Sequence, residues 1–234
     1  MTARIADLLL HATLARAPVL TTRDLAEAAD VSIDSAARAL RALAAKDIVV
    51  PVVRGIWARP THPQFSAYAV VPFLLGASAL AGGRDLAEPG YVSLLSALNL
   101  HGLIDQIPRA IHVVVGSQRT GLHTQVGDFI FHRLQPHLVT GFAPGGRLAN
   151  FNLATPTKAL FDTLYVSTRR GRRYRYLPEL ELPRTVSDRE MREYLALIDG
   201  VSVRAAVSDR WQQMRARLRP PRKRTTSPAH AIDA

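Results

Sequence analysis

The chain has 234 residues, 47% of them apolar, and a mean hydropathy of +0.02, which excludes a wholly disordered protein and allows one or two globular domains. Its 30 Lys and Arg against 19 Asp and Glu give a formal charge of +11, which favours a polyanionic partner, nucleic acid before an anionic membrane surface. Because cysteine is absent, disulfides, thiolate metal sites and cysteine nucleophiles are excluded.

Two helices joined by a short turn are predicted near the start, after a first amphipathic helix over residues 3–16. The earlier of the two begins at Thr21 or Thr22, either of which can cap its free N–H groups. The turn occupies residues 30–32, and Ser32 is the N-cap of a helix over 33–46. Helix, helix, short turn and helix is the order of a helix-turn-helix.

A hairpin is predicted directly after these helices. Two β-rich runs, 48–53 and 56–58, are separated only by Arg54 and Gly55, which indicates a tight turn. With the hairpin as a wing, residues 1–60 predict a winged helix-turn-helix DNA-binding domain. The alternative is a winged helix that contacts only protein, since residues 1–60 carry 8 basic and 6 acidic side chains, a small surplus.

The helix over 33–46 is the element expected to read duplex DNA, with its N-terminal half in the major groove. Ala36, Leu40 and Leu43 share the face expected to pack inward. Arg38 is the best candidate for base recognition, because a guanidinium can bind a guanine edge with two hydrogen bonds. The side chains predicted near base edges are Ile33, Asp34, Ala37 and Arg38. The side chains predicted near phosphates are Ser32, Ser35, Arg41 and Arg54.

A second domain, α+β in class, is predicted over residues 63–218 after a Pro-rich linker at 59–63. An apolar run over 67–83 predicts a buried helix over 67–80, because it is short for a membrane span and holds Pro72. Further helices are expected from the N-caps Ser93 and Thr155. Strands are predicted at 110–115, 129–134, 138–142 and 151–153. We expect a cytoplasmic, nucleoid-associated protein with no membrane partner.

Two motifs of this domain resemble a known family. The first is YVSLLSALNLHGL over 91–103, followed by QIP at 106–108, and the second is ATPTKALFD over 154–162. In their order after a winged helix they resemble the AbiEi family, the antitoxins and transcriptional regulators of bacterial abortive-infection (type IV toxin–antitoxin) systems. The resemblance covers about residues 5–166 and implies binding to the operon's own promoter. It also implies activity against a nucleotidyltransferase-like toxin, with no stable complex required.

Two functions therefore stay open: an autorepressing regulator that binds promoter DNA, or a protein-interaction antitoxin for which DNA binding is secondary. An enzyme is not expected. Lys158 and Asp162 are four residues apart on one predicted helix and indicate a structural salt bridge. Five histidines lack the spacing of a metal site, so no catalytic residue, metal or cofactor is predicted. These histidines are His101, His112, His123, His132 and His137.

The last third of the chain holds most of the charge surplus, with 16 basic and 8 acidic side chains over 166–234. Five arginines interleaved with Tyr174 and Tyr176 suit backbone contact and stacking on nucleic acid. They are Arg169, Arg170, Arg172, Arg173 and Arg175. A solvated loop balanced by nearby acidic residues is the equal alternative. Helices are predicted over 188–197 and 208–218, and residues 219–234 predict a disordered basic tail.

Overall fold

The computed structural model describes residues 15–81, 87–145, 151–169 and 185–217. Over these ranges the chain forms seven α-helices and two β-sheets, one of three strands and one of six. The predicted α+β class is therefore confirmed. The expected first helix over 3–16 lies almost entirely outside the described residues, and so does the basic tail over 219–234.

The N-terminal unit contains the smaller sheet and two helices. Its elements are β1 (Val19–Thr21), α1 (Thr22–Ala29), α2 (Ile33–Ala44), β2 (Val50–Val53) and β3 (Ile56–Ala58). Strand β3 lies between β1 and β2 and is antiparallel to both. A capping box begins α1, in which the Thr21 hydroxyl accepts from the Asp24 N–H and the Asp24 carboxylate accepts from the Thr21 N–H. Strand β1 has no counterpart in the sequence prediction.

The larger sheet is mixed, with strand order β6-β7-β5-β4-β9-β8. Its strands are β4 (Gly90–Val92), β5 (Ile111–Val115), β6 (Leu122–Thr124), β7 (Gly127–Arg133), β8 (Phe142–Gly145) and β9 (Phe151–Ala154). The pairs β5–β7 and β4–β9 are parallel and the others antiparallel. The remaining helices are α3 (Val71–Leu74), α4 (Leu94–Leu100), α5 (Pro156–Ser167), α6 (Asp188–Ala196) and α7 (Val201–Arg217), with 3₁₀ turns at Ala67–Val70 and Pro136–Leu138.

Both faces of the larger sheet are covered. Successive side chains of a strand point to opposite faces, so neighbouring residues of β5 belong to different cores. Val113 of β5 belongs to a core shared with the N-terminal unit, which contributes Leu25 and Leu40. Its neighbour Val114 belongs to a second core, built with α4, α5, α6 and α7 and including Leu160 and other helix residues. The predicted boundary near residue 62 thus falls between two parts that share one core.

Two predicted elements differ from the structure in conformation, and a third, the helix expected over 208–218, begins earlier, at Val201. The helix expected over 67–80 consists only of a 3₁₀ turn and the four-residue α3, since Gly76 adopts a φ of +93° two residues after α3 ends. Of the strand expected over 138–142, Leu138 ends a 3₁₀ turn and only Phe142 lies in a strand, at the start of β8. Gly141 between them adopts a φ of +75°. In the run over 67–80, apolar composition indicated burial correctly but not the backbone conformation.

Candidate nucleic-acid interface

Helix α2 packs on one face and leaves the other open to solvent. Ala36, Leu40 and Leu43 are 1%, 0% and 3% exposed and form the inner face, as predicted. Of the eight side chains of the N-terminal unit predicted to contact DNA, six are exposed and two half-buried. The exposed ones are Ser32, Ile33, Asp34, Arg38, Arg41 and Arg54, and the half-buried ones are Ser35 and Ala37. This open face is called the α2 surface below and is defined by residues 32–35, 37, 38 and 41.

The sequence at the start of α2 accounts for its position. The Ser32 hydroxyl accepts a hydrogen bond from the Ser35 N–H at 3.2 Å, which satisfies one of the N–H groups that lack a helical partner. Asp34 lies in the first turn, where a carboxylate interacts favourably with the helix dipole. The turn from α1 begins at Asp30, whose φ of +51° is left-handed. The two helices are therefore joined tightly, and α2 starts at the surface.

The Arg38 side chain is held by a short chain of hydrogen bonds. Its Nη2 donates to the Ser35 hydroxyl oxygen at 3.2 Å, and the same oxygen accepts from the Ser32 hydroxyl at 3.0 Å. One edge of the guanidinium is thus directed along the helix toward its N-terminus. Arg38 is exposed and its guanidinium carries five N–H donors, so this bond uses only part of its donor capacity.

The β2–β3 hairpin is fixed to the start of α1. The Thr22 N–H donates to the Gly55 carbonyl at 2.8 Å, and the buried Trp57 donates its indole N–H to the Thr22 hydroxyl at 3.0 Å. Trp57 therefore anchors the hairpin to the core. Gly55 adopts a φ of +82° at the turn, which places the exposed Arg54 at the tip.

Charge on this unit is mixed. The exposed bases over residues 19–58 are Arg23, Arg38, Arg41, Lys46 and Arg54, and the exposed acids are Glu27, Asp30, Asp34 and Asp47. Any attraction for a polyanion therefore depends on where the arginines stand rather than on the net charge of the unit.

The arginine-rich segment is only partly described. Arg169 is exposed, and its guanidinium donates to the Arg133 carbonyl at 2.8 Å and to the Tyr165 hydroxyl at 3.1 Å. It also lies 4.9 Å from the centre of the Tyr165 ring. Arg169 is therefore held against the protein by its own contacts. Four of the predicted site residues lie outside the described residues: Arg170, Arg172, Arg173 and Arg175.

A buried polar cluster joins the two motifs of the sequence. Lys158 and Asp162 are 0% exposed, and the Lys158 Nζ lies 2.6 Å from Asp162 Oδ1 and donates to the Leu138 carbonyl at 2.8 Å. Asp162 Oδ2 accepts from the Ser93 hydroxyl at 2.7 Å and from the Tyr91 hydroxyl at 3.0 Å. Burial raises the pKa of Asp162, and the adjacent Lys158 opposes that rise.

This cluster is closed off from solvent. Its polar atoms bond one another, and no exposed atom of Ser93, Lys158 or Asp162 faces a solvent-filled cleft, since all three are 0% exposed. The predicted Lys158–Asp162 salt bridge is confirmed. Both side chains are fully buried, which the i,i+4 spacing alone did not indicate. Ser93, expected as a helix cap, makes no side-chain cap and bonds Asp162 instead. Sequence spacing did not indicate this partner, because 69 residues separate the two.

The histidines are dispersed. The two buried ones, His112 and His132, approach within 3.0 Å, Nδ1 to Nε2, and burial lowers the pKa of His112 to about 4. His101 contacts the Ala154 carbonyl, and His123 pairs with Asp128 at the surface. Within the ranges described, no group of three or more His, Asp or Glu side chains could hold a metal ion.

The chain matches no protein-family model, and comparison with curated proteins finds no match. The likeness of its motifs to the AbiEi family therefore stays a prediction. Among the described helices, none has the length and apolar character needed to cross a lipid bilayer.

Proposed function

We propose that the protein is a bacterial transcriptional regulator that binds duplex DNA through the α2 surface. In this proposal α1 and α2 are a helix-turn-helix, α2 enters the major groove, and the β2–β3 hairpin is the wing on the neighbouring backbone. The observation that supports it most is the open outer face of α2, from which Arg38 and Arg41 project while the inner face is fully packed.

The arrangement meets two geometric needs of groove binding. A reading helix must be rigid along its length, and α2 is held by Leu40 and Leu43 in the shared core. The wing must keep a constant position relative to that helix, and the hydrogen bonds of Thr22 to Gly55 and Trp57 tie the hairpin to α1. Arg54 at its tip is then available to a phosphate.

The target we propose is the promoter of the protein's own operon, bound as an autorepressor. This part of the proposal is supported by the likeness of residues 91–103 and 154–162 to the AbiEi motifs. Arg172, Arg173 and their neighbours would add attraction for the DNA backbone that does not depend on sequence.

Sequence preference is the first test. Affinity is measured for the duplex upstream of the protein's own gene and for a shuffled duplex of equal length and composition. Arg38→Ala is expected to lose about 1–3 kcal/mol of preference, because a bidentate contact to guanine is removed. Arg192→Ala, an exposed helical arginine of α6, is the matched control and should keep the preference. Equal preference in both variants would contradict the proposal.

The arginine-rich segment is tested by salt dependence. Replacing Arg172 and Arg173 together by alanine should weaken binding to both duplexes alike. The slope of log K against log salt should fall by about 2, since each phosphate contact contributes about 0.9. An unchanged slope would show that these arginines make no phosphate contacts. It would favour the alternative of a solvated loop and limit the interface to the N-terminal unit.

A protein-interaction antitoxin is the second candidate, and the same motif resemblance favours it. The two candidates are distinguished by co-expressing the full-length Arg38→Ala variant with a nucleotidyltransferase encoded beside the gene. If this variant has lost promoter binding and still rescues growth, the antitoxin activity is independent of the α2 surface. Loss of both together would favour the regulator.

A further inference from the structure

An apolar strip lies on the α2 surface, beside its arginines. Ile33 is 51% exposed at the first position of the helix, and Ala37, one turn later, is half-buried on the same side. Val31, in the turn that precedes α2, is 43% exposed. Few large apolar side chains of the described residues are this exposed, and two of them lie within three residues at the start of α2.

The requirements of the helix do not account for Ile33. A β-branched residue lowers helix propensity slightly, and the first turn of a helix favours acidic side chains. Ser32 already supplies the cap, so Ile33 has no capping role. Ile33 is thus an apolar group on the α2 surface that is available to a partner.

We propose that Ile33 and Ala37 contact the 5-methyl groups of thymines in the major groove, so that the protein prefers sites in which thymine lies beside the guanine bound by Arg38. This inference rests on the proposed DNA binding. The thymine methyl is the one apolar group that a base presents in the major groove. It therefore matches an apolar strip that flanks a guanidinium.

The charge next to the strip favours bases over phosphates as its neighbours. Asp34 is exposed between Ile33 and Ala37 in sequence, and its carboxylate would be repelled by a phosphate close by. Arg41, one turn beyond Ala37, can reach a phosphate from the same side of the helix. The N-terminal end of α2 is thus suited to the groove floor and its middle to the backbone.

The test compares thymine with uracil, which lacks only the methyl group. The upstream duplex is prepared with either base throughout, and the affinity ratio is measured for wild type and Ile33→Ala. Wild type should bind the uracil duplex at least about fourfold more weakly than the thymine duplex. The factor follows from about 0.8 kcal/mol for each methyl group withdrawn from water. Ile33→Ala should show a smaller ratio than wild type, because the contact of Ile33 is removed and that of Ala37 remains.

Ile107→Ala is the matched control, because Ile107 is 80% exposed outside the N-terminal unit, and it should discriminate as wild type does. Equal binding of both duplexes by wild type would overturn the inference and leave DNA binding intact. The same ratio in wild type and Ile33→Ala would also overturn it, since the methyl effect would then come from DNA shape. Binding of neither duplex by wild type would instead contradict the proposed function.

Discussion

Helices α2 and α5 begin in the same way and differ in where they place their charges. Both have 12 residues and a hydroxyl N-cap, Ser32 in α2 and Thr155 in α5. Ten residues of α5 are buried, among them Lys158 and Asp162, whereas only four residues of α2 are buried and its arginines are exposed. Burial rather than charge therefore separates a structural side chain from one that is available to a partner.

The difference has an energetic side. Lys158 and Asp162 have lost their water and depend on each other, on Ser93 and Tyr91, and on the Leu138 carbonyl. Arg38 keeps its hydration on one side and loses little when it exchanges water for a phosphate or base. Changes in the buried cluster should thus appear as lost stability, and changes on the α2 surface as lost binding.

The largest expected effect is on the buried pair. Lys158→Met should lower the free energy of unfolding by about 3–5 kcal/mol, because Asp162 is left as an unpaired buried carboxylate. The measurement is urea denaturation at neutral pH.

The matched control is Arg189→Ala, since Arg189 and Glu193 form another i,i+4 pair at 2.9 Å with side chains 85% and 60% exposed. It should change stability by less than about 0.5 kcal/mol. Similar losses of stability in the two variants would show that burial does not determine how much each ion pair contributes.

Asp24 extends the comparison to the N-terminal unit, where it is the buried carboxylate. It accepts from the Thr21 N–H at 2.7 Å, from the Ala79 N–H at 3.1 Å and from the Ser78 hydroxyl, and so ties α1 to the second part of the chain. Asp24→Ala should cost about 2–3 kcal/mol, because these donors lose their acceptor.

Ser32→Ala, which removes an exposed cap, should cost about 1 kcal/mol in the same denaturation experiment. If the Asp24 variant loses no more than the Ser32 variant, the tie between the two parts contributes nothing beyond capping.

Features that depend on residues close together in sequence could be predicted, whereas contacts between residues far apart in sequence could not. The capping box at Thr21 and Asp24, the Ser32 cap and the hairpin at Gly55 depend on residues a few positions apart. Strand β1 was missed because three residues carry little periodicity and pair with β3 more than 30 residues later.

The candidate site likewise has a part that could be predicted from local sequence and a part that could not. The exposure of Arg38 and Arg41 followed from helical periodicity, because the inner face of α2 is apolar. The support of Arg38 by Ser35 is also local and could be read from the i,i+3 spacing. The bond of Ser93 to Asp162 depends on how β4, α4 and α5 meet, which no local pattern encodes.

A pH titration sharpens the comparison through His112, a buried basic group whose Nδ1 lies 3.0 Å from Nε2 of His132. Burial lowers its pKa from 6.5 to about 4, so the unfolded chain binds the proton more readily than the folded one. Stability from this group is present above pH 6.5 and is lost as the pH falls toward 4.

Over that range wild type should lose on the order of 2 kcal/mol more than His112→Gln, measured by urea denaturation at a series of pH values. Parallel stability curves for the two proteins would contradict this assignment.

The most direct test of the α2 surface is the affinity of a double variant for the upstream duplex. Arg38→Ala with Arg41→Ala should raise Kd about 100-fold and keep the unfolding midpoint of wild type, since both side chains are exposed. Arg109→Ala with Arg192→Ala removes the same charge from exposed positions outside the N-terminal unit and should change Kd less than about threefold. Equal affinities for the two double variants would contradict the account.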